Sequence, residues 1–192
     1  MSRGKLEGTI YLVLFVTTVW LANWLILHVG VQLDPNGPHL IPVGFGIMAP
    51  AGVLAAGVGF TLRDLVQRRL GPSWSSIAIL CGAGLSALLS PMLALASGGA
   101  FLASEMLDLF VYTPLRRKNL YVAVVASNIV GMVVDSIAFL FLAYGLSAMS
   151  FLPGQIIGKA YMTLLALPIV KMIEVWDRKR NLSDQSLSTR MI

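Results

Sequence analysis

The chain has 192 residues, 57% of them hydrophobic and only 12% charged, with a formal net charge of +5. Its mean hydropathy of +0.80, with most charges in short clusters between long apolar runs, excludes an ordinary soluble domain and reads as an integral membrane protein. One cysteine and two histidines leave no intrachain disulfide, no thiol-based metal site and no support for a metal-dependent enzyme.

A hydrocarbon core about 30 Å thick takes about 20 helical residues to cross, and counting uncharged runs of that length predicts six spans. Span one runs from Thr9 to Val29 and span two from Leu40 to Leu62. The uncharged stretch from Gly71 to Ser104 would make a helix of about 50 Å, too long for one crossing. Ser90-Pro91 is the natural reversal, so span three covers Ser73 to Leu89 and span four Met92 to Leu115. Span five runs from Leu120 to Gly145 and span six from Pro153 to Trp176. The expected organisation is a cytoplasmic N-terminus over residues 1–8, a six-helix transmembrane domain over 9–176 and a mobile cytoplasmic tail over 177–192. Span one is too long and lacks the cleavage site of a signal peptide, so it is expected to stay in the mature chain. Cys81 lies within span three and reads as a small packing residue.

Basic residues accumulate in cytoplasmic loops. Arg3 and Lys5 precede span one, Arg63, Arg68 and Arg69 lie between spans two and three, and Arg116, Arg117 and Lys118 lie between four and five. Arg178, Lys179, Arg180 and Arg190 follow span six, whereas the loops near Asp34, Ser90 and Ser150 carry no basic residue. Both termini are therefore expected on the cytoplasmic side. Topology and anionic lipid account for the basic balance, and no nucleic-acid partner is expected.

Charge buried in hydrocarbon usually has a job, and Glu105, Asp108, Asp135 and Lys159 interrupt otherwise apolar spans. Glu105 and Asp108 share a helical face; two acids this close resist joint ionisation, which suits a proton-coupling pair or an acceptor for a basic substrate, unless Asp108 merely pairs with Arg116 or Arg117. Asn128, Gly131 and Asp135 line one stripe of span five. Gly131 there admits either a neighbouring helix, together with Ser127, or a flat ligand. Gln155 and Lys159 stand one turn apart in span six, and Lys159 either snorkels outward or pairs internally with Asp135 or Glu105. Gly154 and Gly158 permit close packing; the string around them lacks the hydroxyl residue and spacing of a phosphate loop.

Asn23 is the strongly polar side chain of span one and either joins two helices or reads a heterocycle edge. Trp20 and Trp24 suit an interfacial belt or a stacking surface. His28 and His39 fall at the outer rim. No serine nucleophile has a buried histidine partner, so no enzyme and no cofactor are expected; an aspartyl hydrolase on Asp108 and Asp135 is the one catalytic alternative.

Several segments in order, Ala22-Asn23-Trp24-Leu25-Ile26, Arg63-Asp64-Leu65 through Leu70-Gly71, Ser104-Glu105-Met106-Leu107-Asp108 through Pro114-Leu115-Arg116, Ser127-Asn128-Ile129-Val130-Gly131 through Asp135-Ser136-Ile137-Ala138-Phe139, and Gly158-Lys159-Ala160-Tyr161, resemble the queuosine-precursor transporter family, also called the vitamin uptake transporter family. The resemblance covers Leu12 to Ile173. It implies an all-α, six-transmembrane-helix bundle like the substrate-binding subunits of energy-coupling-factor transporters, set in a bacterial cytoplasmic (inner) membrane. It also implies uptake of deazaguanine bases, the cyano- or aminomethyl-substituted queuosine precursors. On that reading Glu105 or Asp135 clamps the paired N–H donors of a guanine-like edge. Asn23, Asn128 and Gln155 supply directional hydrogen bonds, Trp24 or Phe101 a stacking face, and Lys159 a counter-charge. Ala22 and Arg63 depart from the family pattern. Span one lacks the spaced alanines with which such subunits dock on a shared partner, so self-sufficient transport is expected, the alternative being a substrate-capture or scaffold subunit of a separate ATPase.

Overall fold

The computed structural model describes residues 3–115 and 120–190. Six helices form a bundle: α1 Arg3–His28, α2 Val53–Leu70, α3 Pro72–Ser86, α4 Pro91–Leu115, α5 Leu120–Tyr144 and α6 Leu152–Arg190. A 3-10 helix, Leu146–Phe151, joins α5 to α6. Between α1 and α2 the chain builds a small antiparallel sheet of β1 Val31–Gln32, β2 His39–Gly44 and β3 Ile47–Pro50, in the order β1-β2-β3.

That sheet corrects the expected second span. The run from Leu40 to Leu62 is uncharged, but its first eleven residues are a hairpin, with Leu40 opposite Pro50 and Ile41 opposite Ala49. Composition explains the outcome: Pro42 and Pro50 cannot donate within a helix interior, and Gly44, Phe45 and Gly46 turn the tip with φ of 105°, 53° and 73°. Ile41, Val43 and Ile47 favour the extended chain. The helix therefore starts at Val53 and carries Arg63 and Asp64 in its second half. Arg63 is 4% exposed; it belongs to the bundle interior, not to a loop.

The other boundaries follow local chemistry. The predicted reversal falls between Ser86 and Pro91, with Pro91 opening α4 where its missing N–H costs nothing and the Ser90 hydroxyl accepting from Leu93 N at 3.3 Å. A single residue, Gly71, separates α2 from α3, and its φ of 97° suits glycine. Beyond Trp176, α6 continues as helix through Arg190. Arg116, Arg117 and Lys118, expected as a basic loop, lie outside the described residues.

Close packing at the hairpin end depends on glycine. A Cβ on Gly154 would collide with the backbone of Met48, and one on Gly158 would lie 2.6 Å from Val53 Cγ2, so α6 seats directly against β3 and the start of α2. Gly131 faces α4, lying opposite Asp108 and the Ser104 carbonyl, which fits the helix-packing reading at that position; Ser127, one turn away, is buried. One apolar cluster, Ile26, Leu93, Ala96, Ala100, Phe139, Leu140 and Ala148, lies towards the hairpin end. A second, Phe15, Val66, Ala78 and Ile79, lies towards the opposite end, here called the basic end for Lys5, Arg68 and Arg69. Among the described residues three stretches are long and apolar enough to cross a membrane, Gly4–His28, Ala126–Tyr144 and Leu146–Ile173. Leu80, Leu95, Met106, Phe110, Ile129 and Leu165 point outward and exposed, the arrangement expected of a bundle surrounded by lipid. Cys81 shares that exposed face; it is not the packing residue its sequence position suggested.

Candidate functional site

All six helices contribute to one partly open cavity. Its walls are mostly apolar, from Phe15, Val19, Ile26, Val53, Ile79 and Phe139 among others, and its polar groups are Thr18, Asn23, Ser97, Asp135, Gln155 and Lys159. Spacing brings these together. Asp135 lies nine residues before the end of α5 and Lys159 seven after the start of α6, so at about 1.5 Å per residue both sit about 10–14 Å below the hairpin end.

Lys159 Nζ donates to Asp135 Oδ2 at 2.6 Å and to Ser136 Oγ at 2.9 Å. With side chains 3% and 10% exposed, the pair is internal, and the snorkelling alternative is overturned. Two buried charges of opposite sign leave this part of the cavity neutral, with Ser136 in turn anchored by donation to the Met132 carbonyl at 2.8 Å. The pair joins α5 to α6.

The amides beside it are incomplete. Asn23 Oδ1 accepts from Ser97 Oγ at 2.8 Å, joining α1 to α4, while Asn23 Nδ2 is buried with no partner. Gln155 Oε1 is likewise buried and unpartnered. An unsatisfied buried polar group costs about 1–3 kcal/mol, so a free donor and a free acceptor in one largely apolar cavity are what a ligand with a complementary polar edge would satisfy. Phe101, Phe60 and Phe15 close the cavity towards the basic end: Phe60 and Phe101 stack at 5.6 Å between centroids and 19° between planes, and Phe15 meets Phe101 at 5.5 Å and 55°.

Of the residues singled out from sequence, Asn23, Phe101, Asp135, Gln155 and Lys159 line this cavity; Glu105, Asp108, Asn128 and Trp24 do not. Glu105 points into a second polar cluster. Arg63 Nη1 donates to its Oε1 at 2.6 Å and Gln67 Nε2 to its Oε2 at 3.2 Å. Arg63 also binds Asp64 Oδ1 through Nη2 at 2.8 Å and reaches Asn128 Oδ1 at 3.4 Å. Glu105 thus pairs with Arg63 and not with Lys159, because the hairpin shifts α2 far enough to carry Arg63 inward. Asp108 Oδ1 is buried without a partner among the described residues, facing Gly131. Trp24 stacks on His28 at 4.8 Å, outside the cavity.

Arg63, Phe60, Ser97 and Phe139 are the residues that sequence reasoning passed over. The signal for Arg63 was available: a helix that can begin only after Pro50 and ends at Gly71 puts Arg63 near its middle. Ser97 sits within a run of small residues, Ala94 to Ala100, which reads as packing until its partner Asn23 is known. Among the described residues no group of three or more histidines, cysteines or carboxylates is arranged to hold a metal ion.

A family model described as "Putative vitamin uptake transporter" matches residues 86–173, from the end of α3 through the apolar part of α6. No curated protein and no solved structure matches the chain. The matched stretch holds Ser97, Phe101, Asp135, Gln155 and Lys159, the α4 to α6 side of the cavity, and it is the family that the ordered motifs resemble. Over residues 86–173 this membrane protein is therefore similar to the vitamin uptake transporter family.

Proposed function

We propose that the protein imports a small planar purine-like base, a deazaguanine precursor of queuosine, across a bacterial cytoplasmic membrane. In this reading the bundle crosses six times, both termini and the basic end face the cytoplasm, and the hairpin lies on the outer side. One observation carries it: Asn23 Nδ2 and Gln155 Oε1, a buried free donor and a buried free acceptor, share an aromatic-walled cavity with a charge-neutral Asp135 and Lys159 pair.

The chemistry suits a heterocycle bearing N–H groups and a carbonyl. Its carbonyl or ring nitrogen satisfies Asn23, its N–H satisfies Gln155, and Asp135 accepts a further donor while Lys159 holds its other oxygen. The flat faces stack on Phe101 or Phe139. Glu105 and Asn128, first considered as part of this edge, act elsewhere on the route because Arg63 occupies them.

The test is the queuosine content of tRNA in cells that lack their own precursor transporter and are fed each precursor in turn. Wild-type protein restores queuosine; Asp135→Asn and Gln155→Ala, expressed to the same level, restore less of it at limiting precursor. Rescue by all three to the same extent removes the cavity from the mechanism, and failure of the wild type with every precursor removes the substrate.

A further inference from the structure

Two helices repeat the same order of side chains from the cavity towards the basic end, and a third shares the wall and the ring. On α2 the order is Ala56, Phe60, Arg63 and Gln67; on α4 it is Ser97, Phe101 and Glu105; on α1 Asn23 and Val19 precede Phe15. Spacings of three and four keep each series on one helical face, so cavity wall, ring and polar or charged group follow at steps of about 5–6 Å. The rings touch one another across the bundle, and the Arg63 guanidinium lies 5.6 Å from the Phe60 centroid. Below them Arg63 joins α2 to Glu105 on α4 and to Asn128 on α5, and Gln67 ties Glu105 to Ser75 on α3.

Backbone packing makes these side chains decisive. Close approaches join α1 to α2, α1 to α3 and α4 to α5, whereas α2 and α4 have almost none. Side chains alone bridge that gap. A polar solute in the cavity faces first an apolar ring layer and then an ion pair whose separation strands charge in a poorly hydrated interior.

We infer that Phe15, Phe60 and Phe101, backed by the Arg63 and Glu105 pair, form a two-layer gate closing the cavity at the basic end, and that release requires α2 and α4 to part here. Glu105 is then a gate residue, which explains why a carboxylate one turn beyond the cavity's Phe101 is separated from the cavity by the rings and held by Arg63. This inference rests on the transport reading, but its test needs no substrate.

In a Cys81→Ser background, Ala56→Cys places a thiol in the cavity wall and Lys5→Cys places one on the exposed N-terminal segment. Membrane vesicles in which Lys5→Cys reacts with an added membrane-impermeant maleimide present the basic end to the reagent. With the gate intact, Ala56→Cys reacts at least about tenfold more slowly than Lys5→Cys. Phe101→Ala, which leaves the ion pair, and Glu105→Gln, which leaves the rings, each speed Ala56→Cys labelling and leave Lys5→Cys unchanged. The swap Arg63→Glu with Glu105→Arg restores protection relative to either single change. Ala56→Cys labelling as fast as Lys5→Cys in the parent overturns the gate, as does equally slow labelling in every variant. Gate behaviour as stated alongside failed queuosine rescue leaves the gate standing and removes only the substrate.

Discussion

The two buried ion pairs of this bundle differ in what surrounds them, and the difference separates a binding site from a latch. Lys159 and Asp135 meet at 2.6 Å on the wall of a cavity whose neighbouring amides are left unsatisfied. Arg63 and Glu105 meet at the same distance, but Asp64, Gln67 and Asn128 add further hydrogen bonds, and rings shield them from the cavity. Spare hydrogen-bonding capacity beside the first pair invites a ligand. The second pair is saturated by its own protein and instead spans helices whose backbones barely approach.

The largest expected effects come from unbalancing each pair. Lys159→Met strands Asp135 in the interior and should cost about 3–5 kcal/mol, lowering the midpoint of thermal unfolding in detergent and abolishing base binding together. Combining it with Asp135→Leu removes both charges and should recover most of the stability without recovering binding. Arg63→Met should cost less, about 1–3 kcal/mol, because Asp64 is 53% exposed at its side chain and only Glu105 is left enclosed. Binding to the purified protein should survive it. Equal loss of binding in Lys159→Met and Arg63→Met would erase the distinction between the two pairs.

How far each pair was legible in the chain follows from its neighbours. Asp135 and Lys159 sit on helices whose apolar runs end where their caps and turns lie, so counting at about 1.5 Å per residue placed both inside the bundle and made an internal pair one reading of Lys159, with Asp135 and Glu105 both open as its partner. Four of the cavity residues, Asn23, Asp135, Gln155 and Lys159, stood out because polar groups within long apolar runs are conspicuous, and Phe101 entered only through the family resemblance. Arg63 was hidden by the same counting. Hydropathy measures length without shape, and the β-branched and proline-rich segment from Leu40 to Pro50 scores as apolar whether it is helix or hairpin. Misplacing that segment moved Arg63 into a loop and left Glu105 without its partner. The pairing of Asn23 with Ser97 was invisible for another reason: contacts between α1 and α4 depend on helix order around the bundle, which hydropathy does not encode.

A smaller effect sharpens the same contrast within the cavity. Asn23→Ala and Gln155→Ala each remove a polar atom that lacks a partner, and relieving that unsatisfied group offsets part of what the truncation costs the unliganded protein. Each should weaken base binding by about tenfold, the worth of one hydrogen bond of about 1–1.5 kcal/mol. Asn23→Ala also strips Ser97 of its acceptor, so its unfolding midpoint should lie below that of Gln155→Ala. Titration of purified variants with guanine and the two deazaguanine bases reads both quantities. Unchanged affinity in both variants would mean that the free donor and acceptor meet no ligand.

The smallest effect belongs to Cys81 on α3, two positions from a residue that faces the opposite way. Ile79 is fully buried against Phe15 and Val66 and lines the cavity, whereas Cys81 lies on the exposed outer surface. Ile79→Ala should therefore cost about 2–4 kcal/mol through the lost transfer energy and the enlarged cavity. Cys81→Ser changes a side chain with no core neighbours and should stay within about 0.5 kcal/mol. Cys81 should also react with a lipid-soluble maleimide in membranes while an impermeant one leaves it untouched, since its surroundings are the apolar exterior that Leu80 and Leu85 share. Protection from both reagents would place α3 the other way round, with Cys81 inward and Ile79 towards lipid, and would remove one wall of the cavity described here.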